Sequence, residues 1–193
     1  MIDELLLSIP EKGWGGGDPN TTSRRFKKDL YTFFDKPEFK DKIVLEIGCH
    51  FCHTSVVLSY LFPTVYALQE VDRPEAEEFA LSQGRQNIVL VIHDMYGGRD
   101  IPIERADVIM IDAMHTYDAV RSDIKNALKL KSEGKKYFVF DDYGIYPHIK
   151  KAIDDTIAEG TLEKIMTIGY KKGEPFLIPN PLLDDEGIIC IEK

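Results

Sequence analysis

Apolar and polar positions fall into blocks along the chain. Short, nearly continuous apolar runs at 43–47, 65–69, 88–92, 106–112 and 137–140 are each bounded by turn residues. Such a run is how a strand buried on both faces of a parallel sheet reads. Helical spacing fills the intervals and predicts helices over 53–62, 74–84 and 149–159, with another ending near Leu130. Two final strands are predicted over 164–170 and 187–191. Ahead of the first strand, residues 24–34 put Phe26, Leu30, Phe33 and Phe34 on one helical face, with Thr22 or Ser23 as its cap. Those aromatics read as core packing. Residues 1–10 hold a short amphipathic stretch. Residues 12–23 form a turn region with Gly15-Gly16-Gly17 and Asp18-Pro19, expected to be mobile, with a flap over the active site as the functional alternative. Strands alternating with helices predict a doubly wound α/β fold, whose ligands sit outside the carboxyl ends of the strands. Two parts follow: 1–40, an N-terminal helical segment with a glycine-rich loop, and 41–193, the α/β domain.

At 193 residues the chain is long enough for one sizeable core. Its net charge of -9 argues against a nucleic-acid partner, because phosphate binding needs clustered Lys and Arg. The basic clusters at 24–28, 129–136 and 171–172 are short and read as solvated faces. No apolar run is long enough to span a bilayer and no secretory signal precedes the first helix, so a cytoplasmic location and no membrane partner are expected. Three cysteines do not suggest a disulfide framework.

The stretch Ile43-Val-Leu-Glu-Ile-Gly-Cys-His-Phe-Cys-His-Thr-Ser55 reads as strand, glycine turn, helix start. Gly48 suits a turn where the backbone comes close to a ligand. Glu70, just past the second strand, lies 22 positions beyond Gly48. In dinucleotide folds a carboxylate at about that distance takes the ribose hydroxyls. Gln69 fills this slot in an ungapped count; Glu70 is preferred because a carboxylate accepts two hydrogen bonds. The alternative is a charged loop without a ligand.

The glycine turn resembles motif I of the class I S-adenosylmethionine (SAM) methyltransferases. Their G-x-G-x-G pattern would fall on Gly48, His50 and Cys52, so the first glycine alone is kept. Two later segments carry more of the likeness. Ile111-Asp-Ala-Met-His-Thr-Tyr-Asp-Ala-Val120 and Val139-Phe-Asp-Asp-Tyr143 resemble the signatures of a small O-methyltransferase subgroup. The resemblance covers about 43–156 well. It implies a Rossmann-like fold: a mostly parallel seven-stranded sheet, helices on both faces and an antiparallel C-terminal strand. It implies SAM as cofactor, held by Glu46, Gly48, Cys49, His50, Glu70, Asp94 and Asp112, with Asp94 accepting from the adenine amine and Tyr96-Gly97-Gly98 as the loop behind it. The acceptor would be a small-molecule hydroxyl. A homodimer stays open, as does a non-catalytic relative of the fold.

In that topology Asp112 and Asp141-Asp142 end neighbouring strands. Three unpaired carboxylates so close repel, and a divalent cation relieves this. Oxygen-only ligands favour Mg2+, Ca2+ or Mn2+. The catechol-type and macrocin-type enzymes are similar here and use Mg2+ to orient the acceptor hydroxyl, which makes Asp112, Asp141 and Asp142 the expected metal ligands. Helix capping and solvation are the other reading of the same residues. The relatives' second carboxylate, two residues on, is Met114 here. His115 is then the candidate base; its alternative is a histidine bonded between loop and helix. Cys49-His-Phe-Cys52-His53 also fits C-x-x-C-H, a haem-attachment or zinc pattern. Against it, Cys52 reads as a small buried apolar residue.

Overall fold

The structure, a computed structural model, describes residues 2–13, 17–94, 96, 100–174 and 182–193. Gly15, Gly16, Gly97 and Gly98 of the predicted loops lie outside the described residues. Seven strands form one sheet: β1 (Ile43–Ile47), β2 (Thr64–Gln69), β3 (Ile88–Ile92), β4 (Val108–Ile111), β5 (Tyr137–Phe140), β6 (Leu162–Ile168) and β7 (Gly187–Glu192). Their order is β3-β2-β1-β4-β5-β7-β6. The first five pair in parallel, and β7 runs antiparallel to both β5 and β6. The helices are α1 (Ile2–Ser8), α2 (Arg24–Phe34), α3 (His53–Ser59), α4 (Pro74–Ser82), α5 (Tyr117–Leu128) and α6 (Pro147–Ala158). This is the Rossmann-like order that the methyltransferase resemblance implies.

Side chains alternate across the sheet, as strand geometry requires. Leu45, Ile47, Ile109, Ile111, Phe138 and Phe140 face α5 and α6, packing with Val120, Ile124, Ala152 and Ile153. Val44, Val108, Met110 and Val139 face the other way, onto Phe26, Leu30 and Phe34 of α2 and Leu58 of α3. Helices therefore cover both faces, which is why the strands read as unbroken apolar runs. The aromatic face of α2 is core, as its spacing predicts, so α2 is built into the same core as the sheet. Ser23 caps α2: its Oγ accepts from Phe26 N at 3.0 Å.

Helix α3 ends three residues before the expected 62. Its last turn tightens, with Tyr60 N bonding Val57 O and Leu61 N bonding Leu58 O, the three-residue spacing common at helix ends.

Candidate active site

The carboxyl ends of β1, β2, β4 and β5 meet at one edge of the sheet, because parallel strands all point the same way there. Gly48 makes the first turn. Its φ is +94°, and a Cβ built on it would stand 2.0 Å from the carbonyl oxygen of Asp112. The close approach that demands glycine is therefore to the end of β4, not to a ligand alone. His50 and Cys52 have φ of 46° and 62°. The turn thus holds the left-handed conformation that glycines would take freely, at a cost of roughly 1–2 kcal/mol per residue.

A cavity of about 400 Å3 opens over these strand ends. Gly48, His50, Gln69, Glu70, Asp112, His115, Asp141 and Asp142 line it. Lys12, Pro19, Asn20 and Thr21 of the N-terminal segment close one side. The described part of that segment is a wall of the cavity, which agrees with the flap alternative. It is tied down by Asp18 N donating to Glu11 O (2.9 Å) and by Lys27 Nζ donating to Thr21 Oγ1 (2.9 Å) and to Thr22 O. Burial pushes the Lys27 ammonium down to about 8.

Among the described residues, three buried polar atoms of cavity-lining side chains have no hydrogen-bond partner: His50 Nδ1, Gln69 Nε2 and Asp141 Oδ1. An orphaned buried polar group costs roughly 1–3 kcal/mol, so such atoms are expected to meet a ligand or water. Gln69 is held by its other end, where Cys49 Sγ donates to Oε1 at 3.7 Å. Gln69 and Glu70 both reach the cavity, so the slot that sequence counting assigned to one residue is shared by two.

The other expected cofactor residues sit differently. Glu46 is buried beneath the turn, accepts from Ser55 Oγ, and does not line the cavity. Burial raises its carboxyl to about 8. Cys49 is also buried and acts through Gln69. Asp94 is exposed, accepts from Tyr96 N at 3.1 Å, and is not among the cavity-lining residues.

At the far end of the cavity is a charged cluster. Lys12 Nζ lies 2.8 Å from Asp141 Oδ2 and 2.7 Å from Asp142 Oδ1. His115 Nε2 lies 3.0 Å from Asp142 Oδ2 and 3.9 Å from Asp112 Oδ1. The His115 ring stacks on Tyr146, with centroids 4.7 Å apart. Burial alone would depress the Lys12 ammonium, but Asp141 and Asp142 override it and hold it well above its ordinary value. Burial would likewise lower His115; the neighbouring Asp112 and Asp142 carboxylates raise it instead. Asp112 and Asp141 are raised, first by burial. Among the described residues, the His, Cys, Asp and Glu donors with metal-ligand spacing are Asp112, His115 and Asp142, with ligand atoms within 4.8 Å of one another. Asp141, also expected as a ligand, is not in that set; like Asp142 it pairs with Lys12.

Lys12 and Arg73, which line the cavity, were not singled out from the sequence, whereas Gln69 was weighed there and set second to Glu70. Lys12 carries no local signal, since its partners lie about 130 positions away. Among the described residues, the C-x-x-C-H side chains are not brought together as a metal-ligand cluster. Cys49 and Cys52 are free, buried thiols, and His53 Nδ1 faces Asp18 Oδ2 at 3.4 Å. Burial drops His53 to about 4.

Neither a family model nor a curated protein matches the chain. Solved structures do. The O-methyltransferase NovP aligns with a TM-score of 0.71 at 11% identity, over 97% of this chain and 96% of its own. Magnesium protoporphyrin IX methyltransferase (ChlM) from Synechocystis PCC 6803, with bound SAM, gives 0.65 at 11% identity, over 94% and 88%. An rRNA methylase from Streptococcus thermophilus gives 0.57 at 13% identity, over 88% and 96%. Methyltransferases named for a porphyrin and for an rRNA share this architecture, so the fold alone does not select an acceptor. With its strand order and these structural likenesses, the chain has the Rossmann-like fold of the class I methyltransferases.

Proposed function

We propose that the protein is a SAM-dependent methyltransferase that acts on a hydroxyl of a small molecule. The observation that carries this reading is the cavity at the strand ends, where the buried, unpartnered Gln69 Nε2 and His50 Nδ1 lie beside Glu70. These groups fit the polar face of a nucleoside: Glu70 accepts from ribose hydroxyls, the Gln69 amide donates, and Gly48 lets the turn stay thin. Bound SAM supplies an electrophilic methyl on its sulfonium.

The chain's own task is then positioning and proton transfer. Asp142 holds His115 by Nε2, and Tyr146 fixes the ring plane. This leaves Nδ1 to take the acceptor's proton. A small acceptor agrees with the cavity's size, with the wall made by residues 19–21, and with the net charge of -9, which disfavours nucleic acid.

A second reading has support in the turn itself. His50 and Cys52 stand where the methyltransferase pattern has glycine, which suits a protein that binds a nucleoside without turnover. Calorimetry with S-adenosylhomocysteine separates these readings from an unliganded fold. Binding that weakens about tenfold or more in Gln69→Ala and Glu70→Ala supports the cofactor site. Equal affinity in wild type and both variants sinks it. Methyl transfer to a panel of phenols and sugars then distinguishes enzyme from binding module.

A further inference from the structure

The methyltransferase resemblance implies a divalent cation among Asp112, Asp141 and Asp142, and the side chains in place do not fit one there. Lys12 Nζ already bridges Asp141 Oδ2 and Asp142 Oδ1, at 2.8 and 2.7 Å. His115 Nε2 engages Asp142 Oδ2 at 3.0 Å. Of the pair's oxygens, Asp141 Oδ1 alone is left, buried and without a partner. Mg2+ demands near-octahedral oxygen ligands at about 2.0–2.1 Å, so it could bind here only by expelling the ammonium.

Lys12 is not a stray surface side chain. It is 5% exposed and lines the cavity. Its neighbour Glu11 fastens the segment to the start of α2, accepting from Arg24 N at 2.9 Å, while Arg24 Nη2 donates to Ile9 O at 3.0 Å. Asp18 N closes the loop on Glu11 O at 2.9 Å. The backbone on both sides of Lys12 is therefore anchored, and its long stem delivers the charge to the strand ends.

We propose that Lys12 stands in for the metal: its ammonium bridges the Asp141–Asp142 pair, offsets part of its charge, and gives its third N–H to the acceptor oxygen. An ammonium has three N–H donors, and two are committed to the carboxylates. In the transfer step the acceptor's O–C bond forms as the S–CH3 bond breaks. The electron pair of that bond stays on sulfur, and the acceptor's proton passes to His115. Lys12 keeps its protons and stabilises the negative charge that develops on the oxygen as its proton leaves for His115, a charge that the forming O–C bond then takes up. The acceptor contact and the comparison with a metal rest on the methyltransferase reading; the exclusion of a cation by Lys12 does not.

The test titrates Mn2+ into the chelator-treated full chain, followed by calorimetry and by the Mn2+ electron-spin signal. The wild type is expected to show no saturable site below millimolar Mn2+. Lys12→Ala is expected to bind one Mn2+ at least about tenfold tighter, and Lys12→Ala/Asp141→Asn to lose it. Tight binding by the wild type that Asp141→Asn weakens would overturn the proposal, and so would a folded Lys12→Ala that binds no Mn2+. If Lys12→Ala does not fold by circular dichroism, the wild-type titration decides alone: a saturable site overturns the proposal and its absence supports it. Failure of the methyltransferase reading appears separately, as absent SAM binding, and leaves the Mn2+ results standing.

Discussion

Replacing Glu46 by Gln should stabilise the protein, and more so as pH rises. Glu46 is 1% exposed, and its recorded partner is the Ser55 hydroxyl. Burial raises its carboxyl to about 8, against about 4.3 in an unfolded chain. Between those values the folded state holds a proton that the unfolded state has released. Stability from this group is therefore fully present below about pH 4 and is lost as pH climbs towards 8. At about 1.4 kcal/mol per pH unit, the loss is on the order of 5 kcal/mol across the interval and on the order of 4 kcal/mol between pH 5 and pH 8. Gln keeps the shape and an acceptor for Ser55 but has no proton to lose. Urea unfolding of wild type and Glu46→Gln at pH 5, 6, 7 and 8 measures the difference, in which the other titrating groups cancel. The stability gap should widen in favour of the variant at each step. Parallel pH profiles, or a gap that narrows, would refute the reasoning that Glu46 is buried in its neutral form.

Gly48→Ala should destabilise by about 2–4 kcal/mol in denaturant unfolding, since its Cβ meets the Asp112 carbonyl at a positive φ; a change under 1 kcal/mol, roughly the scale of an ordinary surface substitution, would contradict this. Phe34→Ala should cost about 3–5 kcal/mol, because the ring is fully buried between α2 and the sheet. A small loss would mean that α2 is not part of the core. His50→Gly should gain up to about 1 kcal/mol in thermal unfolding by releasing left-handed strain. It should nevertheless weaken SAM binding by calorimetry; tighter binding would favour the view that the imidazole obstructs the site.

Much of this fold was legible because it rests on local patterns. Continuous apolar runs can be strands only if both faces are covered, and Val44 and Leu45 in β1 do face opposite cores. The turn residues and the spacing from Gly48 to Glu70 placed the cavity's first side. The second side depended on contacts that no local pattern encodes. Asp141 and Asp142 were visible as a pair of charges, but their counter-ion comes from Lys12, in a stretch that reads as a mobile turn. Glu46 looked like a ligand because it sits in the motif strand. Its side chain instead reaches Ser55 of the following helix, a direction that sequence alone does not fix. Gln69 and Glu70 show the same limit at finer scale: one end of β2 supplies both a buried amide and an exposed carboxylate.

The most direct test of the central claim is a calorimetric titration of SAM into the chelator-treated wild-type chain. One site of micromolar affinity is the expected result, with no metal added. No detectable binding up to millimolar SAM would contradict the account, whatever the fold resembles.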